Sequence, residues 1–169
     1  MREYRAAAVT VSNSASAGTA DDTSGDVLVE RLTALGFNVT ERRCVPDGVD
    51  SVAGVLTELV TSVDLIVTSG GTGVSPTDRT PEGTRRVIDF EVPGIPEALR
   101  AATFGVIPFG KLSRGVAGIA RQCLIINLPG SPRAVSEGFD DVLDEILAHS
   151  VQIANGDFGR HDEERPTLA

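Results

Sequence analysis

Apolar positions along the chain switch repeatedly between strand and helix periods. Ala6, Ala8, Val9 and Val11 alternate loosely through Arg5 to Asn13 and predict a first strand ending in the polar loop Ser12-Asn13-Ser14. The loop as far as Thr23 is small and polar. Ser24 then suits the N-cap of a helix carrying Val27, Leu28, Leu32 and Leu35 on one face, stopped by Gly36. Phe37, Val39, Cys44 and Val45 predict a second strand that ends at Pro46-Asp47-Gly48. Val52, Val55, Leu56, Leu59, Val60 and Val63 recur at helical spacing, and Leu65-Ile66-Val67 reads as a buried strand.

That third strand runs into Ser69-Gly70-Gly71-Thr72-Gly73 and a lone Asp78. Glycines admit positive φ, so successive N–H groups can turn toward one anion. Thr80-Pro81-Glu82 predicts a helix start, with threonine at the N-cap, proline at the first helical position and glutamate at the positive end of the dipole. Thr84 to Phe90 and Glu97 to Thr103 are expected to be helical, and Leu112 to Ala120 a strand or irregular ribbon. Cys123 to Leu128 is the strongest strand of the second half. It ends at Pro129-Gly130-Ser131-Pro132, where Ser131 suits the cap of a helix turning Val135, Phe139, Val142, Leu143, Ile146 and Leu147 inward. From Asn155 the chain is polar and charged and reads as a mobile tail, so residues 1–157 form one domain and 158–169 a polar C-terminal extension.

The alternation of strands and helices predicts an α/β fold with a mostly parallel sheet. Right-handed crossovers place the loops after its strands on one edge. This topology brings Ser12-Asn13-Ser14, Pro46-Asp47-Gly48 and the stretch from Gly70 to Asp78 together, and so sets Asp47 near Asp78. With 169 residues, 41% of them hydrophobic, one domain can bury a full core. No run of about 20 apolar residues is available to span a membrane. Ala6 to Val11 is too short for a signal-peptide core. Cys44 and Cys123 lack metal-type spacing and read as reduced thiols of a cytoplasmic protein.

A net charge of −9 disfavours nucleic acid as a partner. A small anion would need local help from backbone N–H groups, arginines or a metal. Asp47 and Asp78 beside a bound phosphate suggest a hard cation such as Mg²⁺, which takes one or two carboxylates with phosphate oxygens. An aspartate in such a loop also commonly caps a turn, and both readings stand at this point. Lys111 reads as a solvated surface residue rather than a Schiff-base nucleophile. No glycine loop carries the lysine of a P-loop, and the third glycine of a dinucleotide fingerprint is missing. His149 and His161 fall in the last helix and the tail, which disfavours a serine–histidine triad and makes Ser69 a phosphate partner. Positioning and charge neutralisation remain, and they suffice for phosphoryl or nucleotidyl transfer.

Ser69-Gly70-Gly71-Thr72-Gly73, Asp78, Thr80-Pro81-Glu82 and Val92-Pro93-Gly94 closely resemble the molybdenum-cofactor biosynthesis family, in its molybdopterin adenylyltransferase branch, related to the G domain of gephyrin. The likeness continues through Thr10-Val11-Ser12, Asp22-Thr23-Ser24-Gly25, Val45-Pro46-Asp47, Leu112 to Ile119 and Leu124 to Pro132. The resemblance implies a three-layer α/β/α sandwich, usually a homotrimer. It further implies Mg²⁺-dependent transfer of AMP from ATP to the terminal phosphate of molybdopterin, with hand-off to a molybdate-insertion protein. Its two essential aspartates fall on Asp47 and Asp78. Gly70 to Gly73 would cradle phosphate, and Ser12, Asn13, Ser14, Ser24 and Gly25 would line the same pocket. Thr80, Pro81 and Glu82 would stand at its rim, and Ser113, Arg114, Pro129, Gly130, Ser131 and Pro132 would help hold pterin and nucleotide. This chain departs from many members in having Asn13 for aspartate, Asp26 for proline and Gly83 for alanine. Alternatives are a molybdopterin-binding carrier or scaffold without adenylyl transfer, and a relative with another substrate, such as a nucleotide pyrophosphatase.

Overall fold

The computed structural model describes residues 2–157. β1 (Arg5–Val11), β2 (Asn38–Val45), β3 (Leu65–Ser69), β4 (Phe90–Glu91), β5 (Ala117–Ala120) and β6 (Cys123–Leu128) form one sheet in the order β2-β1-β3-β6-β5-β4. β2, β1, β3 and β6 run parallel, while β5 is antiparallel to β6 and to β4. The sheet is mostly parallel, as the strand–helix alternation predicts.

Helices cover both faces, and the strands are apolar for that reason. Ala6, Ala8, Leu65, Val67, Leu124 and Ile126 pack on one face beneath α2 (Thr23–Ala34), α6 (Pro132–Gly138) and α7 (Asp144–Ala154). Ala7, Val9, Ile66 and Ile125 pack on the other against Val52, Val55, Leu56 and Leu59 of α3 (Val49–Leu59). The alternation of Ala6-Ala7-Ala8-Val9 between two cores explains why neighbouring residues in β1 are all buried. Phe139 is fully buried in a π-helical segment, Phe139–Leu143, that joins α6 to α7. Cys44 and Cys123 are free thiols, and burial pushes Cys123 up to about 12. Among the described residues no helix is long and apolar enough to cross a membrane.

Several boundaries differ from the sequence expectation. Ser24 lies inside α2, and the cap is Asp22, whose side chain accepts the Gly25 N–H at 3.0 Å. An aspartate two residues upstream competes well for this role. The polar loop after β1 contains a one-turn helix α1 (Asn13–Ser16), capped by Ser12. α4 (Thr80–Arg85) begins at Thr80 rather than after it, because the Thr80 hydroxyl is used inward on the Gly70 carbonyl at 2.8 Å. α4 stops at Arg85, and Phe90–Glu91 pairs with β5 instead of continuing a helix. α5 (Gly94–Ala102) starts before Glu97, and a 3₁₀ turn covers Pro108–Leu112 ahead of β5. The expected loosening from Asn155 is not seen as far as Asp157. Asn155 donates to the Val151 carbonyl, and Tyr4 donates to Asp157 at 2.6 Å. Residues 158–169, with His161, lie outside the described residues.

Candidate active site

The C-terminal ends of β1, β2, β3 and β6 share one edge of the sheet, so Ser12, Pro46, Gly70 and Pro129 begin four adjacent loops. Ligands of open α/β sheets bind at this edge. Gly70 (φ +102°) and Gly71 (φ +65°) turn the chain sharply off β3. The amides of Gly71, Thr72, Gly73 and Val74 make no hydrogen bond among the described residues, which leaves four consecutive donors for an anion. A Cβ on Gly71 would fall 3.0 Å from an Asp47 carboxylate oxygen, and one on Gly73 would fall 2.9 Å from Asp78 Oδ2. The loop from Gly71 to Gly73 therefore reaches from one aspartate to the other. Topology had predicted this pairing from residues 31 positions apart.

Two clefts open on this edge. The larger, of about 690 Å³, is lined by Leu99, Ile107, Phe109 and Leu112 on its apolar side and by Thr72, Asp78 and Ser113 on its polar side. Its volume lies within the usual range for small-molecule sites. The smaller, of about 260 Å³, is lined by polar groups, among them Ser12, Ser24, Asp47 and Ser69. Gly71, Asp78 and Gly130 line both clefts, so the two meet at the glycine loop.

Several candidate residues build the loop and its neighbouring turns, Ser69 among them although it also lines the small cleft. Arg114 donates from Nε to the Gly73 carbonyl at 2.7 Å and from Nη2 to the Asp78 carbonyl at 2.8 Å. Its Nη1 pairs with Glu82, and its backbone N–H donates to the Thr72 carbonyl. The guanidinium thus clamps both ends of the segment carrying Asp78, and its hydrogen bond, with its charge, holds the Glu82 carboxyl below the usual range. Thr80 and Pro81 are buried under the loop. Ser69 donates to the Pro129 carbonyl at 3.2 Å, joining β3 to the β6 turn, and Ser131 caps α6 through the Ala134 N–H. Pro132 follows that cap at the first position of α6. Ser14 pairs with Ser12. Gly25 is packed so closely on its cap that a Cβ would strike the Asp22 carboxylate. Sequence reasoning missed Leu99, Arg100, Ile107 and Phe109 in the large cleft. Their signal is weak, because they come from a helix face and an irregular segment without a fixed spacing.

Residues 7–149 match the family described as the probable molybdopterin binding domain. The chain belongs to that family. It is 36% identical over 159 residues to a protein of Escherichia coli K12 named molybdopterin adenylyltransferase, covering 89% of this chain and 81% of that protein. The Mog protein of Mycobacterium ulcerans is 43% identical, with a TM-score of 0.84 over 89% of this chain and 99% of that one. The Thermus thermophilus MoaB structure is 38% identical, with a TM-score of 0.84 over 90% and 97%.

Asn13, Asp26 and Gly83, the positions at which the resemblance expects another residue, each have a local structural role. Asn13 Oδ1 accepts the Asp47 N–H at 3.0 Å and so holds the second aspartate's loop. Asp26 pairs with Arg42 at 2.8 Å. Gly83 lets α4 rest on α3, since a Cβ there would lie 2.7 Å from that of Val52.

Burial, with a smaller contribution from the Asp78 charge, raises the Asp47 carboxyl above its ordinary value of 3.8. An acid whose folded pKa is raised destabilises the fold when ionised, at pH above that value, and the cost vanishes as pH falls through it toward 3.8. Asp47→Asn is therefore expected to raise the melting temperature at pH 7, with the gain shrinking in acid. A melting series from pH 7 to pH 3 on both proteins checks this, and a gain that persists or grows in acid would contradict it.

Proposed function

We propose that this protein transfers AMP from ATP to the terminal phosphate of molybdopterin, giving adenylyl-molybdopterin and pyrophosphate. The observation that carries this reading is the meeting of two clefts of unlike chemistry at Asp78 and Gly71, with Asp47 in the smaller one. A group-transfer enzyme needs two ligands to touch at one point, and each cleft supplies one side of it. The apolar cleft suits flat ring systems, and the unpaired amides of Gly71 to Val74 suit the phosphate being transferred. Neither a nucleophilic side chain nor a general base is required, since the attacking phosphate brings its own oxygen.

Two carboxylates in one cleft, one of them with a raised pKa, fit a hard divalent cation. Among the described residues no group of three or more His, Cys, Asp or Glu side chains gathers to hold a metal. Asp47 and Asp78 would hold Mg²⁺ together with oxygens of the nucleotide, where it would neutralise phosphate charge. The chain's own residues do the rest. The glycine loop orients the phosphate, the Arg114 clamp fixes the loop, and Asn13 fixes the backbone at Asp47. The resemblance adds a homotrimer and hand-off of the product to a molybdate-insertion protein, the first of which light scattering on the purified protein tests.

The direct test incubates the protein with ATP, Mg²⁺ and molybdopterin and follows adenylylated pterin and pyrophosphate together. Formation of both in equal amounts is the expected result. Tight pterin binding with no product would replace this reading with that of a carrier, and release of pyrophosphate without adenylylated pterin would replace it with that of a pyrophosphatase.

A further inference from the structure

Among the described residues that line the two clefts there is one cationic side chain, that of Arg100 in α5. The small cleft has none, and the large one sets Asp78, Glu137 and Asp141 against it. In a chain of net charge −9, an anion entering the large cleft meets repulsion that only Arg100 answers with a full charge. That charge is uncommitted. Arg100 is half-buried, and its Nη1 donates to the Gly115 carbonyl at 3.1 Å and reaches the Ser113 carbonyl at 3.5 Å. Carbonyls orient a guanidinium without neutralising it. Arg31, Arg42 and Arg114 are each matched by a carboxylate, whereas Arg100 makes no ion pair among the described residues.

With Nη1 held by the carbonyls, the Nε–Nη2 edge of the fork has no partner among the described residues. That edge carries two parallel N–H donors, the pattern that matches two oxygens of a phosphate. The anchor also fixes where the edge stands. Gly115 follows Arg114, whose backbone N–H donates to the Thr72 carbonyl at 2.8 Å, so Arg100 is tied to the chain that backs the glycine loop. Glu137 stands on α6 and is already paired with Arg133 at 2.7 Å. We propose that Arg100 holds the phosphate monoester of the ring-bearing acceptor through its Nε–Nη2 edge. The inference rests on the reading that the large cleft receives molybdopterin. On that reading ATP comes with a divalent cation between Asp47 and Asp78, while the acceptor phosphate comes with none. A fixed guanidinium on the acceptor's side lets the two anions approach. The contact is made before transfer as well as during it, so its effect falls on acceptor binding.

Fluorescence titration with molybdopterin and with its phosphatase-treated, phosphate-free form tests this independently of AMP transfer. Arg100→Gln keeps an amide donor for the Gly115 carbonyl and removes the charge. It should bind molybdopterin about 10- to 100-fold more weakly, the loss of hydrogen bonds to a charged group, and the phosphate-free form within about twofold of wild type. Arg100→Lys keeps the charge and should lose no more than about tenfold, again only for the phosphate-bearing form. In turnover, Arg100→Gln should raise KM for molybdopterin while leaving kcat and the KM for ATP nearly unchanged. A role confined to holding the turn from Ser113 to Gly115 would weaken both pterins alike. Equal weakening of both forms, or unchanged affinity for molybdopterin in Arg100→Gln, would overturn the assignment. If wild type transfers AMP and the titrations give one of those results, the assignment falls and the adenylyltransferase reading stands. If the loss is selective for the phosphate-bearing form but wild type transfers no AMP, Arg100 stands as the phosphate holder and the reaction assignment falls. Failure of wild type to bind molybdopterin would overturn both.

Discussion

Asp78→Asn is expected to lower AMP transfer by about three orders of magnitude while pterin binding stays within about twofold of wild type. On the proposed reading Asp78 has two roles that the substitution separates. Its Oδ2 accepts the Ser75 N–H at 2.9 Å, which closes the turn after the glycines. Asparagine retains a carbonyl oxygen for that bond, so the loop and the Arg114 clamp on the Asp78 carbonyl should survive. What disappears is the negative charge at the junction of the clefts, where a cation and the transferred phosphate would meet. An interaction made mainly in the transition state lowers kcat without a matching change in ground-state binding. Single-turnover assays with saturating molybdopterin, together with pterin titration by fluorescence, read the two quantities separately. Undiminished turnover in a folded variant would remove Asp78 from the chemistry and leave it as a turn cap.

Much of the fold was legible because both faces of its central strands are buried. Ala6 to Val11, Leu65 to Val67 and Cys123 to Leu128 have to be apolar in that layer, so their runs stand out against polar loops. The meeting of Asp47 and Asp78 followed from the parallel topology alone. Legibility failed where tertiary contacts outweigh local preference. Phe90–Glu91 joins the sheet because the β5 edge offers hydrogen-bond partners, a fact 27 residues distant in sequence. The resemblance places Arg114 among the residues that help hold pterin and nucleotide. Its guanidinium is engaged by two carbonyls and Glu82, which only the folded loop reveals. Thr10 stands in the sequence only as part of the Thr10-Val11-Ser12 likeness, with nothing to mark its hydroxyl. A threonine near the end of a strand is ordinary, and its unpartnered hydroxyl becomes apparent only when every neighbouring group is accounted for.

Gly70→Ala is expected to destabilise the fold by about 3 kcal/mol or more and to abolish nucleotide binding. The residue has φ +102°, a conformation that alanine rarely adopts, and an added Cβ would lie 2.2 Å from the Val11 carbonyl oxygen. Val11 is the last residue of β1, so the obstacle is backbone held in the sheet and not a side chain free to rotate. Retreat the other way is blocked, because Gly130 passes so close that its own Cβ would come within 3.2 Å of the Gly70 Cα. The loop could accept alanine only by moving away from both strands, which would scatter the amides of Gly71 to Val74. Gly18→Ala supplies the control, since Gly18 also has positive φ (+73°) but nothing lies within 4 Å of a Cβ there. Its cost should be the backbone strain alone, about 1 kcal/mol. Urea denaturation of both variants, with binding of the magnesium–ATP complex measured by calorimetry, separates strain from collision. A Gly70→Ala protein no less stable than Gly18→Ala, and still binding nucleotide, would mean that the close approach of β1 and β3 at this edge does not hold the loop in the form proposed to bind phosphate.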